Sequence, residues 1–297
     1  MSTIPVAATP EPVAASTSAG PGLLRRIWHS GNGRIGLVAM AVLIVIAVLG
    51  ALGLLPHDPI EQHPAQRLQG PSGQYWFGTD QFGRDIAARV AVGIWTSLRV
   101  AVASVAVAAV LGSILGIAAG FFRGWVDQVV SRLVDILFAF PAILLALALI
   151  AVLGSNARNV VLAIGLVYIP IFARTARAAV LTVKYREFVD ATRALGASAL
   201  SIYLRHILPN AMAPILVQAT LSISTAILAE AALSFLGVGT QPPTPSWGGM
   251  LSESRAFMEV APWTAVFPGL AIMVAVLSFN VFGDGIRDYL DPRLRNL

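Results

Sequence analysis

Long apolar runs constrain the fold of this sequence more than any other feature. Hydrophobic residues occupy 57% of the 297 positions and charged residues only 12%, whereas soluble proteins carry about 25% charged residues. A soluble core cannot bury this much apolar surface, but a helix that crosses a membrane needs about 20 apolar residues. The sequence therefore predicts an all-α integral membrane protein with six transmembrane helices. The predicted spans cover residues 35–55, 96–122, 136–153, 211–236 and 263–282, with the fourth starting at 160 and a polar cytoplasmic turn at 123–135.

Basic residues indicate how these spans are oriented. Of the 20 Lys and Arg residues, 14 fall on the side that holds both predicted termini and six fall on the other side. Positive residues accumulate in cytoplasmic loops, so both termini are expected in the cytoplasm. The run 35–55 is too long for a signal core and has no small-residue cleavage site after it, which favours a first span over a removed signal peptide.

The predicted organisation has four parts. Residues 1–22 are rich in Ala, Pro, Ser and Thr without periodicity, which predicts a disordered cytoplasmic tail. Residues 23–92 hold the first span and an outer elbow, residues 93–284 hold the other five helices, and residues 285–297 form a cytoplasmic tail.

Small and aromatic residues predict local packing. Gly112, Gly116 and Gly120 are spaced by four in the second span, a pattern that permits close contact between membrane helices. Pro141 predicts a kink near the inner end of the third span. Trp247, in the Pro-rich loop after the fifth span, is expected at the membrane interface.

The segment 187–210, which we call the knuckle, is polar and basic although it lies between two apolar spans. Its first residues favour a short helix, and Gly196 is then expected in the left-handed conformation that ends helices. Ser198 is expected to cap a second helix, which Pro209 should end. The knuckle therefore predicts a helix, a glycine bend and a helix that project from the membrane, with small residues that would let another protein approach.

The knuckle resembles the EAA loop of the membrane subunits of ABC importers. Residues 190–192 (Asp-Ala-Thr) stand at its first three positions, Gly196 at its glycine and Leu208-Pro209 at its end. The departures are Asp for Glu, Thr for the second Ala, and His206 where the family often has Ile. The resemblance implies docking to partner ATPases. The implied ATPase-coupling residues are Glu187, Asp190, Ala191, Thr192, Arg193, Gly196, Ala197, Ser198, Leu208 and Pro209.

An outer segment, 77–85 (Phe-Gly-Thr-Asp-Gln-Phe-Gly-Arg-Asp), resembles a signature of the second permease subunit of peptide and nickel importers. Thr79 or Asp80 is expected to cap a helix, and Asp80 and Arg84 are spaced for an ion pair. We interpret the segment as a structural elbow against the outer membrane face; contact with an extracytoplasmic binding protein is the alternative. The elbow residues are Gly78, Thr79, Asp80, Gly83, Arg84 and Asp85.

Two further stretches, 233–248 and 284–293, resemble the same subgroup. The resemblance implies a type I ABC importer permease fold in the bacterial cytoplasmic membrane. The implied partners are a related permease in a heterodimer, two ATP-binding subunits, an extracytoplasmic substrate-binding protein and membrane lipid, but no nucleic acid. It implies no cofactor on this chain, with ATP and Mg²⁺ on the partner subunits. The implied cargo is a di- or oligopeptide, with nickel, haem or glutathione as alternatives.

Motifs for catalysis are missing from the sequence. It contains no G-x-x-x-x-G-K-[ST], H-E-x-x-H or G-x-S-x-G, so we expect a transport subunit without its own ATPase site. His57, Asp58, Glu61 and His63 cluster in the first outer loop, but their spacing matches no standard metal site.

An ion-coupled secondary transporter is the rival class. Such proteins keep ionisable residues near the bilayer midplane, and Glu230 is the main ionisable residue within the predicted spans. Its position in the fifth span predicts a place near the outer end, as an interfacial or subunit-contact residue. A role in lining the pathway is the minority alternative.

Overall fold

The computed structural model describes residues 31–290. The described chain is built from ten α-helices and short 3₁₀ and π turns. The helices are α1 (Gly31–Ala51), α2 (Ile86–Phe122), α3 (Gly124–Phe138), α4 (Ala142–Leu153), α5 (Ala157–Lys184), α6 (Glu187–Ala194), α7 (Ala199–Ile202), α8 (Leu208–Phe235), α9 (Trp247–Ser254) and α10 (Trp263–Leu290).

Five of these helices, α1, α2, α5, α8 and α10, are long and apolar enough to cross a membrane. The predicted third span, at 136–153, falls on a broken pair of helices: α3 and α4 meet at an angle of 91°. Pro141 occupies the N-cap position of α4 without a capping hydrogen bond, so the bend lies at the predicted proline kink. The predicted turn at 123–135 is wrong, because its apolar residues Val126, Val130 and Val134 pack against α2 and α5 as one face of α3.

The second span starts ten residues earlier than the apolar run suggested. Asp85 caps α2, because its side chain accepts a hydrogen bond from the Ala87 backbone N–H. Neither Thr79 nor Asp80 caps a helix, so that prediction is wrong. Asp80 instead accepts hydrogen bonds from the backbone N–H groups of Phe82 and Arg84 and closes a loop.

The glycine stripe of α2 packs against α5, as predicted. A Cβ on Gly112 would lie 2.6 Å from the Ile169 carbonyl oxygen, and one on Gly116 would overlap the Ala173 carbonyl. The two helix backbones are thus in direct contact. This interface supplies much of the main core, including Ala108 and Phe172.

The second helix of the knuckle does not end at Pro209. The chain stays helical from Leu200 to Phe235, passing from α7 through a π turn at Tyr203–Ile207 into α8. Pro209 lies in the first turn of α8, where its missing N–H costs least. The knuckle is therefore continuous with the fifth span.

The outer loop after α8 folds back into the protein. Trp247 begins α9 and is fully buried, and its indole N–H donates to the Val90 carbonyl at 3.1 Å. The indole therefore faces the protein interior, and the interfacial depth of Trp247 stays a prediction. Gly93 allows this approach, because a Cβ there would lie 3.0 Å from the indole ring.

The first and last helices pack side by side. Gly36 of α1 lies against the Phe282 backbone of α10. Helix α10 continues to Leu290, so it includes the first residues of the stretch predicted as a tail at 285–297. The predicted disordered tail at 1–22 lies outside the described residues.

Candidate functional site

The knuckle is a rigid bend. The Leu195 N–H donates to the Ala191 carbonyl at 3.1 Å, and the Gly196 N–H donates to the Arg193 carbonyl at 3.0 Å. Gly196 has φ +81°, so the predicted left-handed conformation is confirmed. The Ser198 hydroxyl accepts from the Ser201 N–H at 3.3 Å, which confirms the predicted cap. The two short helices are thus fixed relative to each other by local bonds.

One side of the knuckle is anchored and the other is open. Val189 of α6 is fully buried with Val180, Ile202 and Ile207. Leu195, beside the bend, is 88% exposed. Apart from its two chain neighbours, no residue within 31–290 places an atom within 4 Å of where a Gly196 Cβ would stand. The bend therefore presents an apolar side chain and an open backbone on a firmly packed base.

The structure gathers eight of the ten predicted coupling residues around this bend. Asp190 pairs with Arg193 at 2.7 Å on the exposed face of α6, so its charge is matched within its own helix. The Thr192 hydroxyl donates to the Phe188 carbonyl. Leu208 and Pro209 lie beyond the π turn, at the start of α8. The exposed surface at the bend is formed by residues 187–198 and not by the end of the motif.

Residues that the motif does not include brace the base of the knuckle. Lys184 donates from Nζ to the Phe121 carbonyl at the end of α2, at 2.9 Å. Arg177 of α5 forms two hydrogen bonds to Asp127 of α3, at 2.6 and 2.8 Å. Asp127 falls in the stretch predicted as a turn, so sequence reasoning could not pair it with Arg177.

The elbow residues form a second, buried site at the opposite end of the helices. Arg84 donates from Nε to Asp80 at 2.6 Å and from Nη2 to Glu253 of α9 at 2.7 Å. This confirms the predicted pairing of Asp80 and Arg84, although the pair closes a loop and is not on a helix. Arg89 of α2 also reaches Glu253, at 3.1 Å. Sequence reasoning missed Arg89 and Glu253, because the latter is 169 residues from Arg84.

The remaining elbow residues shape this loop. Gly78 and Gly83 have φ +77° and +74°, and a Cβ on Gly83 would overlap the His63 carbonyl. Thr79, Asp80, Arg84 and Asp85 are all buried. These side chains hold the loop together and are not an exposed recognition surface.

The metal site considered for the first outer loop does not assemble. His57 pairs with Asp85 at 3.1 Å, while His63 faces Glu61 at 3.7 Å. Within residues 31–290, no three side chains of the ligand types come together as a metal site requires.

Glu230 lies in the protein interior. It is fully buried in α8, so the predicted interfacial position is wrong. Its Oε1 accepts from the Ser234 hydroxyl at 2.7 Å. Ser97 of α2 lies beside the same carboxyl group, but Oε2 and the Ser97 hydroxyl make no hydrogen bond. The carboxyl group thus lies between α8 and α2, and its one hydrogen bond stays within α8.

The fold and the knuckle define a class of protein, the multi-pass permease subunit. The chain belongs to the family of binding-protein-dependent transport system inner membrane components, whose model matches residues 112–296. It is therefore a multi-pass protein of the bacterial inner membrane and the permease component of an ABC importer.

Similar proteins agree with this assignment. The chain is 48% identical over 262 residues to the dipeptide transport system permease protein DppC of Alkalihalophilus pseudofirmus, covering 88% of this chain and 86% of the relative. It is 45% identical over 283 residues to the glutathione transport system permease protein GsiD of Escherichia coli, covering 93% of each. These relatives confirm the resemblance to the peptide branch of the family.

Two solved structures share the fold. The inward-facing MetNI methionine ABC transporter aligns with a TM-score of 0.58 at 19% identity, covering 68% of this chain and 96% of that one. An amino acid ABC transporter with histidines aligns with a TM-score of 0.52 at 15% identity, covering 70% and 94%. They confirm the predicted type I ABC importer permease fold.

Proposed function

We propose that this chain is one permease of a heterodimer that imports di- or oligopeptides, driven by two ATP-binding subunits and supplied by an extracytoplasmic binding protein. The observation that carries the proposal is the knuckle, whose anchored base and exposed bend suit docking to a motor subunit. The bound nucleotide and Mg²⁺ belong to the ATP-binding subunits in this proposal, because the sequence has no phosphate-binding loop.

The knuckle can transmit force because it is rigid and continuous with two spans. Val189 fixes α6 to the inner ends of α5 and α8. Helix α5 leads into α6 through two residues only, and α7 continues into α8 through the π turn. A displacement of α6 by an ATPase would therefore move both spans, whereas a flexible loop would absorb it.

The proposed orientation rests on docking of the ATP-binding subunits to the knuckle. ATP-binding subunits act from the cytoplasm, so the knuckle and both termini lie inside and the elbow lies outside. The basic residues favour the same arrangement. A cysteine in place of Ser198 tests it, because the chain has no native cysteine. Labelling of Ser198→Cys from the outer side alone would reverse the orientation.

Two substrates have specific support. A relative named as a dipeptide permease favours a dipeptide, and one named as a glutathione permease makes glutathione the second candidate. Nickel and haem lack such support. Specificity is expected mainly in the binding protein.

Reconstitution tests the proposal. The complete importer in proteoliposomes should accumulate labelled dipeptide only with ATP and the binding protein, and unlabelled competitors should rank the substrates. Uptake of glutathione but of no dipeptide would select the second candidate. ATP-independent uptake driven by an ion gradient would refute the importer mechanism and favour the secondary-transporter class.

A further inference from the structure

A large groove lies between α1, α2 and α10, next to the elbow. Its volume is about 900 Å³ and its walls are almost entirely apolar. We call it the elbow groove. Its walls include Leu43, Leu49, Ala91, Ile94, Leu270 and Val274.

Small residues let α1 touch the body of the protein at two points. Gly36 lies against the Phe282 backbone, and Gly50 lies against the Ala91 backbone. Ala91 also forms part of the groove wall. Between these two contacts, Leu43, Ile46 and Leu49 of α1 line one wall of the groove.

We propose that the elbow groove binds the acyl chains of a membrane phospholipid and holds them as a structural lipid. The wall formed by α2 runs from Asp85 to Ile94, which is about 13 Å at 1.5 Å per residue. Half of a hydrocarbon core of about 30 Å is close to that length. The groove thus spans one leaflet, as an acyl chain does.

The two ends of the groove differ as a phospholipid requires. Residues of the segment between α1 and α2, among them Pro56, Gln74 and Trp76, form one end. Polar groups collect there, including the His57 ring that is bonded to Asp85 at 3.1 Å. Trp76 is 67% exposed at this end, and tryptophan favours the level of the head groups. The head group lies at this polar end and the chains extend toward the membrane centre.

The surroundings of the groove also favour lipid. Val45 and Leu49 on α1, and Leu270 and Val274 on α10, are exposed apolar side chains on helices that cross the membrane. Acyl chains are the solvent for such surfaces. A transmembrane helix of a partner would have to continue past the elbow, which forms one end of the groove.

A photoactivatable phospholipid tests the site directly. The complete importer is incorporated into nanodiscs that contain a phospholipid with a diazirine on its acyl chain, and labelled peptides are mapped by mass spectrometry. Label is expected on the groove segments of α1 and α10. Native mass spectrometry of the mildly solubilised complex should show a retained phospholipid.

A larger side chain in the groove wall should displace that lipid. Ala271 lies in the groove wall on α10, so Ala271→Phe should abolish labelling of the groove and remove one retained phospholipid. Delipidation should lower the unfolding temperature of the wild type but not of this variant, because a ligand stabilises only the state that binds it. Ala106→Phe, on an exposed part of α2 outside the groove, should behave as the wild type.

Three results would overturn the proposal. They are absence of label from the groove in the wild type, an equal number of retained lipids in Ala271→Phe, and cross-linking of a partner polypeptide into the groove. If Ala271→Phe fails to assemble, the labelling map of the wild type still decides.

Discussion

Arg84 Nη2 lies 2.7 Å from Glu253 Oε2, although the two residues are 169 positions apart in the chain. The pair joins the loop before α2 to α9, and Asp80 and Arg89 complete a cluster of two acids and two arginines. The cluster therefore fixes the N-terminal end of α2 to the C-terminal end of α9.

Removal of Glu253 should destabilise the protein. In Glu253→Ala, two buried arginines would share Asp80 alone, and breaking a buried ion pair costs about 3 kcal/mol or more. We expect a clear fall in the unfolding temperature of the purified complex. Glu259→Ala, which changes an exposed acid in the same region, should have little effect. Equal unfolding temperatures for the two variants would refute a stabilising role for the cluster.

The α2–α5 contact predicts a contrast between two glycines. Gly116→Ala should be destabilising by about 1–3 kcal/mol, because its Cβ would overlap the Ala173 carbonyl and overpack the interface. At Gly269 in α10, a Cβ would meet no described residue within 4 Å beyond its own helix backbone, so Gly269→Ala should be neutral or stabilising. Thermal unfolding and the yield of assembled complex measure both. A neutral Gly116→Ala would mean that the helices can separate without cost.

Sequence patterns predicted the long spans, the glycine stripe and the bend at Gly196, because each depends on local composition or spacing. They failed where distant contacts decide. The Pro-rich loop around Trp247 suggested an interfacial side chain. Its indole ring instead packs against Gly93 and donates a hydrogen bond to the Val90 carbonyl in the protein interior. Likewise the sequence did not predict the buried face of α3 that contains Val130, because that face is buried only by contact with α2 and α5.

Two variants of the buried Glu230 separate the contribution of its carboxyl charge from that of its side-chain volume. Glu230→Gln keeps the size of the side chain and can donate a hydrogen bond to Ser97, so stability should equal or exceed that of the wild type. Glu230→Ala should lose about 2–4 kcal/mol, because it leaves a cavity beside Ser234. Unfolding temperatures and peptide uptake measure both variants.

The same pair of variants bears on the rival class of transporter. If Glu230→Gln folds as the wild type but loses uptake, a carboxyl group that can gain and lose a proton is required. That outcome would revive the ion-coupled mechanism, in which such residues are functional.

Gly196 provides the last and sharpest prediction, because the chain contains a matched control. Gly53 also has a positive φ, +68° against +81° for Gly196. At both glycines, the described residues other than the chain neighbours place no atom within 4 Å of a Cβ. A valine at either position therefore incurs a similar backbone cost of about 1 kcal/mol or more. Only Gly196 lies on the knuckle, whereas Gly53 follows α1 at the elbow end. Gly196→Val should uncouple ATP hydrolysis from uptake or prevent the ATP-binding subunits from co-purifying, while Gly53→Val should keep both activities. Full uptake by an assembled Gly196→Val complex would show that the glycine serves only the hairpin, and equal defects in both variants would trace the loss to backbone strain and not to docking.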